Sequence, residues 1–395
     1  MPKPLSFQKV AMVEGNPKYE QAISRLYPFY QRKNDIREPF ERDYTRILFS
    51  KAYRRLKHKT QVFFAVSNDH VCTRLEHVAL VQSVSETIAG YLGLNTTLTR
   101  AIATGHDLGH APFGHGGEKI LAELYETYHL GRFFHERNSL YFVDKIEQLK
   151  DDNQENQPLN LCYAVRDGII SHCGEVHLEA IKPREEAFDL ENYNAPGLHA
   201  PFTYEGCVVK MADKIAYLSR DIEDALELGL LTKADIRQLE KELSDIDPLV
   251  SGIDNGTLIH YFIQDVCQHS TIEKGIALSK QAYLVMQKVM AYNYENIYLT
   301  KRLKVFDDYV ALMIHSLFDV LKDTWQKDGK LDKLEALKTS YPNLAEYFMD
   351  WLLYYTSTKL YNPSLQQDYI RAILDYISGM TDTFMLKTFN ELVTF

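Results

Sequence analysis

Fourteen consecutive residues, Gly105-His106-Asp107-Leu108-Gly109-His110-Ala111-Pro112-Phe113-Gly114-His115-Gly116-Gly117-Glu118, hold three histidines and two carboxylates. Packing alone does not call for such a cluster. Neutral imidazole is the commonest side-chain metal ligand, and carboxylate oxygens suit hard divalent ions. His106 and Asp107 are neighbours, so on a helix their side chains diverge by about 100°. They can share one ion if they stand at a helix end that faces a pocket. The glycines are expected to let the chain turn tightly after that helix and approach a ligand closely.

More ligands must come from elsewhere in the chain. His77 follows Arg74 by three residues, so on a helix the two share a face, and one can bind metal while the other pairs with an anion. Asp213, Tyr217 and Asp221 stand at i, i+4 and i+8 and line one stripe of a third helix, a pattern that suits a metal ligand followed by contacts to substrate hydroxyls. Eight of the 14 histidines fall between His58 and His135, while His172, His177, His199, His260, His269 and His315 receive no role.

The elements that must position these groups read as helical throughout. Val78, Val81, Val84, Ile88 and Leu92 recur at three- and four-residue steps and predict a helix from about Leu75 to Leu92, stopped at Gly93. A second helix is expected from about Thr96 to Leu108, capped by Thr96 or Thr97. Further helical patterns cover Arg137–Lys150, Leu159–Ser171, Tyr204–Leu228, Lys233–Leu243, Gly275–Tyr298, Arg302–Trp325, Leu344–Thr356 and Ser364–Thr394. Thr232 and Asp235 have capping-box spacing. Strand patterns are confined to Val62–Val66 and a hairpin near Gly197–Tyr204. The polar run Asp151–Gln157 reads as a surface loop. The expected organisation is an N-terminal segment over 1–40, a catalytic helical domain over 41–300 and a C-terminal helical portion over 301–395.

Composition bounds the function. The chain has 395 residues, 45% of them hydrophobic and 25% charged, with net charge −10. Disorder is excluded as the main state, and general nucleic-acid affinity receives little support. Within this acidic chain, Arg42–Lys59 carries seven Lys/Arg against Asp43 alone, a local +6 that suits substrate phosphates, an effector nucleotide or simply a solvated helix face. Five scattered cysteines fit reduced thiols in the cytoplasm. No signal segment or membrane span is visible.

His77, then His106-Asp107, then Asp213 reproduces the H…HD…D signature of HD-superfamily phosphohydrolases. The string HDLGHAPFGHGGE, with Arg55-Leu56-Lys57-His58-Lys59-Thr60-Gln61-Val62 before it and DKIAYLSRDIEDA after it, closely resembles the deoxynucleoside triphosphate triphosphohydrolases of the dGTPase-like branch. The resemblance spans about residues 40–230. It implies an all-α fold, an HD-domain helical bundle around a metal centre with additional C-terminal helices. It also implies metal-dependent hydrolysis of a dNTP, such as dGTP, at the α-phosphorus to deoxynucleoside and inorganic triphosphate.

Carried over residue by residue, the resemblance makes His77, His106, Asp107 and Asp213 ligands of a divalent ion, Mn or Mg or another such as Fe, Co or Zn. His110, His115 and His135 become histidines near the phosphates, with His115 the foremost proton donor and His110 its rival. Gln61 and Asp221 would hold the sugar 3′-hydroxyl, and Val62 would sit beside C2′. Arg74, Lys214 and Tyr217 would contact phosphates and sugar. A homo-oligomer and a second dNTP acting as effector are implied by the same resemblance. The competing readings are another HD phosphohydrolase (nucleotidase or phosphodiesterase) and a catalytically idle nucleotide-sensing oligomer.

Overall fold

The structure is a computed structural model that describes residues 6–28, 30, 33–63, 68, 70–173 and 179–394. Helices dominate, and the only strands among the described residues are four short ones. Gln148–Lys150 pairs antiparallel with Asn156–Pro158, and Ala180–Ile181 with Ile276–Ala277. The fold is all-α.

Its centre is the helix Arg74–Leu92, which packs on Thr96–Gly105 and on Tyr204–Glu227. Thr73 and Glu76 close a full capping box at its start, a device worth about 1 kcal/mol. Gly93 ends it in the left-handed conformation at φ 83°, which costs glycine nothing. Val78, Val81, Val84, Ile88 and Leu92 are buried on one face, and His77 lies on that same face. The apolar stripe that fixes the helix against its neighbours therefore also aims His77 inward.

Thr96–Gly105 is capped by Asn95, whose side chain accepts from Thr97 and Leu98, rather than by Thr96 or Thr97. It ends at Gly105, three residues before the expected Leu108, so His106 and Asp107 stand just past a helix end. The buried Glu205 ties this start to the N-terminal segment, accepting from Met12 N at 2.8 Å and from Asn95 N at 3.0 Å. Tyr204–Glu227 is buried along most of its length, with Glu205, Lys210, Asp213, Asp221 and Asp224 among the buried residues.

Several expectations are corrected. The span Arg137–Lys150 is not one helix: His135–Tyr141 is α-helical, Phe142–Ile146 widens to a π-turn, and Gln148–Lys150 is a strand. Asp151–Gln157 is the tip and return of that hairpin. Gly197–Tyr204 forms no hairpin; it is a loop that feeds the Tyr204 helix. The expected strand Val62–Val66 lies largely outside the described residues, as does His177. The glycine run does not simply turn, because Gly114–Thr127 is a helix. Asn255–His269 is a helix that none of the expected spans covers, and Pro39–Phe49 is a helix within the basic run, with Ile47 buried.

The later helices Lys301–Lys322, Pro342–Ser357, Gln366–Ser378 and Asp382–Val393 join the same apolar core, which runs from Phe7 to Phe389. Lys301–Lys322 and Gln366–Ser378 pack on Gly114–Thr127. No described helix is long and apolar enough to cross a membrane. All five cysteines are free.

Candidate metal centre

Three helices bring His77, His106 and Asp213 together, with one ligand atom of each within 4.8 Å of the others. His77 Nε2 is 3.0 Å from Asp213 Oδ1, and His106 Nε2 is 3.8 Å from the same oxygen. His106 Nδ1 lies 2.7 Å from the Ala103 carbonyl, so Nδ1 carries the proton and donates. That leaves Nε2 with a lone pair aimed at the cluster, buried and without a hydrogen-bond partner among the described residues. An orphaned buried acceptor of this kind is costly unless a ligand completes it. The donor set thus fits a divalent ion held by imidazole and carboxylate.

Burial holds His106 neutral, its pKa lowered despite the neighbouring carboxylates. Burial alone would raise Asp213 and Asp107, but the hydrogen bond from His77 to Asp213 and the Arg74 guanidinium beside Asp107 outweigh it and keep both ionised. Neutral imidazole and charged carboxylate are the forms that bind metal. Asp107 is less free than the other three. Its Oδ2 accepts from Arg74 Nη1 at 2.6 Å, and Arg74 Nη2 reaches the Gln61 carbonyl at 3.2 Å. Arg74, expected beside phosphates, is here the buried partner of Asp107.

Beside this cluster stands a second group. His110 stacks on His135 at 4.5 Å between ring centroids, and His115 lies 5.5 Å from His110. Glu118 organises them: it accepts from His135 N at 2.8 Å, from His135 Nδ1 at 3.1 Å and from His115 Nδ1 at 3.2 Å. Burial works against the charge on Glu118, yet the histidines hold it well below the usual carboxylate range. His135, between Glu118 and Glu136, is raised well above an ordinary histidine although burial opposes this. His110 is buried, while the His115 side chain is 80% exposed at the mouth.

The loop between the two groups has no room for a side chain at Gly109. A Cβ there would lie 2.1 Å from Ser139 N, and the Gly109 backbone is held by Ser139 Oγ at 2.9 Å and Asn138 Nδ2 at 2.6 Å. Phe113 and Gly114 both take positive φ, 60° and 62°, and this swing launches the next helix with His115 in its first turn. Gly117 is required by the same bend, since its Cβ would meet the Pro112 carbonyl at 2.0 Å.

Of the remaining expected residues, Lys214, Tyr217 and Asp221 lie on the helix that carries Asp213, and the Gln61 carbonyl accepts from Arg74. Asp221 is buried, receives the Tyr298 hydroxyl on Oδ2, and has no partner on Oδ1. Burial pushes its pKa up to about 7. Gln61 Oε1 is likewise buried and unpartnered. Val62, Lys214 and Tyr217 are partly buried.

Five residues without a prior assignment belong to the surroundings. Glu118 closes the fourteen-residue histidine cluster, three residues after His115. His172, its ring 4.8 Å from that of His106 and its pKa pushed down to about 3 by burial, has no local signal in the sequence. Tyr298 closes a π-turn, an element frequent at functional sites. Lys59 donates to the His110 and Ser378 carbonyls, and Asp382 accepts from Thr60 N, Thr60 Oγ1 and Phe113 N. The last two contacts make the C-terminal helices a brace for the histidine loop.

Comparison with known proteins agrees with this geometry. The HD domain family matches residues 74–218, the span from Arg74 past Asp213. The chain is 33% identical to a deoxyguanosinetriphosphate triphosphohydrolase-like protein of Caldanaerobacter subterraneus subsp. tengcongensis, over 92% of this chain and 87% of that one. It is 34% identical to one of Desulfatibacillum aliphaticivorans over 90% and 88%, and 31% identical to one of Clostridium tetani over 98% and 94%. HD domains bind divalent metals and hydrolyse phosphate bonds. The chain belongs to the deoxyguanosinetriphosphate triphosphohydrolase-like family of HD-domain phosphohydrolases.

Proposed function

We propose that this protein hydrolyses deoxynucleoside triphosphates to deoxynucleoside and inorganic triphosphate, with a divalent ion held by His77, His106, Asp107 and Asp213. The observation that carries the reading is the orphaned His106 Nε2 beside the His77–Asp213 pair, with two further unpartnered buried acceptors, Gln61 Oε1 and Asp221 Oδ1, nearby in the fold. A metal completes the first, and a sugar hydroxyl donates to one of the others. The names of the relatives supply the triphosphate.

A bound divalent ion supplies Lewis-acid charge at the phosphoryl oxygen and lowers the pKa of water. The chain does the rest. Water attacks the α-phosphorus through its oxygen and releases its proton to solvent, and the bond from phosphorus to the 5′-oxygen breaks, leaving inorganic triphosphate. His115 gives that oxygen its proton: ionised Glu118 accepts from Nδ1, which fixes the ring and turns Nε2 outward. Lys214 faces the triphosphate charge. Asp221, held by Tyr298, and Gln61 take the 3′-hydroxyl, and Val62 with Tyr217 leaves a 2′-hydroxyl without space or partner. Glu118 and His135 keep the phosphate-side histidines in register as positioning residues.

His106→Ala and Asp213→Asn, assayed for bound metal by elemental analysis and for dNTP turnover, test the assignment. Both variants are expected to lose metal and turnover together while remaining helical by circular dichroism. Retention of metal and turnover in His106→Ala refutes it.

A further inference from the structure

On the far side of the segment that carries His135, a cavity of about 740 Å³, counting its open mouth, lies between Gly114–Thr127, the segment 130–145 and Gln366–Ser378. Its walls carry four cations, Arg132, Arg137, Lys145 and Arg371. The carboxylates on the same walls are Asp144 and Glu191, and Asp144 is already taken by Arg166 through two hydrogen bonds of 2.8 and 2.6 Å. In a chain of net charge −10 this is a local excess of positive charge in a concave, partly enclosed place.

The arrangement of Arg371 separates this from a chance patch. Its Nε is held by both oxygens of the buried Asp375 at 2.9 Å, and its guanidinium lies between Tyr125 and Tyr141, 5.1 and 4.5 Å from their ring centroids. Asp375 is fixed in turn by the hydroxyls of Tyr125 at 2.6 Å and Tyr361 at 2.8 Å. The guanidinium is locked on its inner edge, while its two terminal nitrogens donate to no described residue. A planar fork held rigid with its outer edge free is the geometry that recognises phosphate. Arg132 makes no ion pair with any described residue, and Arg137 spends one nitrogen on the Tyr193 carbonyl at 3.1 Å.

We propose that this cavity is a second anion site, separate from the histidine centre, that binds the phosphate group of a small phosphorylated molecule through Arg371, Arg132, Arg137 and Lys145. Its walls set the four cations around a space open to solvent, where a phosphate and the small group it is attached to can enter. The site shares a wall with the metal centre. Asn138 lines the cavity and donates to the Gly109 carbonyl of the histidine loop, so an occupant sits directly behind the brace that holds His106–His110.

The test is isothermal titration of the full chain, in EDTA, with inorganic pyrophosphate and separately with ribose 5-phosphate, on the native protein, R132S/K145S, R371Q and K214S. Lys214 reports binding at the histidine centre instead. At least one probe is expected to bind the native protein, about tenfold more weakly to R132S/K145S and unchanged to K214S. The tighter probe tells whether a free phosphate or a phosphate ester is the natural occupant. R371Q, which gives up part of the Asp375 network, should weaken the same probe if it folds; R132S/K145S, on two partly or fully exposed side chains, decides the question without it. Equal affinity of the native protein and R132S/K145S, loss of binding in K214S alone, or no binding of either probe to the native protein at millimolar concentration overturns the proposal.

Discussion

Asp382 holds the C-terminal helices to the centre, and its removal gives a worked number. Asp382 is 4% exposed and accepts three hydrogen bonds: Thr60 N at 2.9 Å, Thr60 Oγ1 at 2.8 Å and Phe113 N at 2.8 Å. In Asp382→Ala the two backbone donors lose their acceptor, at about 1–2 kcal/mol each, and the hydroxyl adds about 1 kcal/mol. Relief of the buried carboxylate, whose pKa burial raises, returns part of this. The net expectation is a loss of about 3 kcal/mol in urea unfolding, with about half of that in Asp382→Asn, which keeps one acceptor oxygen. Thr60 precedes Gln61 and Phe113 precedes Gly114-His115, so hydrogen exchange at the Thr60 and Phe113 amides should accelerate before any global loss of structure. Hydrolysis should also fall in protein that is still folded. A change under about 0.5 kcal/mol, with unaltered exchange at both amides, would refute the bracing argument.

Three further outcomes follow from the same contacts. Gly109→Ala should displace the histidine loop from Ser139, because its Cβ would sit 2.1 Å from that backbone nitrogen; metal binding measured by titration should weaken at least tenfold, about 1.4 kcal/mol or more. Asp224, whose pKa burial pushes up to about 6, holds its proton more tightly folded than unfolded. Stability should therefore fall as pH rises from about 4 to about 6, by on the order of 1–3 kcal/mol, and Asp224→Asn should flatten that part of the urea-midpoint profile. Tyr298→Phe removes the hydroxyl that donates to Asp221, and should raise KM for a dNTP by about tenfold while leaving bound metal unchanged.

How much of this was legible in the sequence depends on whether the cause was local. The helix Arg74–Leu92 was readable because one apolar stripe and one stop residue agree, while its Thr73 cap and the inward aim of His77 came from the fold. The order of the ligands came instead from the resemblance to the HD signature, and of those four the fold gathers His77, His106 and Asp213. The glycine run misled in part. Glycine is a poor helix former, but Gly114–Gly117 opens a helix because Phe113 and Gly114 take positive φ and Gly117 must pass the Pro112 carbonyl, contacts that only the folded loop reveals. Arg137–Lys150 has helical periodicity yet widens to a π-turn and becomes a hairpin, since pairing with Asn156–Pro158 overrides local preference. His172 and Asp382 were invisible as parts of the surroundings because each acts across the fold, Asp382 from more than three hundred residues beyond Thr60, and Lys59, read as part of the basic run, instead donates to the His110 and Ser378 carbonyls.

The most direct measurement of the central claim is the fate of oxygen. A dNTP hydrolysed by the metal-loaded protein in ¹⁸O-water, followed by phosphorus NMR and mass spectrometry of the products, reports which bond breaks. The account predicts inorganic triphosphate carrying one ¹⁸O on a terminal phosphorus, together with unlabelled deoxynucleoside. Monophosphate with pyrophosphate, diphosphate with phosphate, or label in the nucleoside would contradict it.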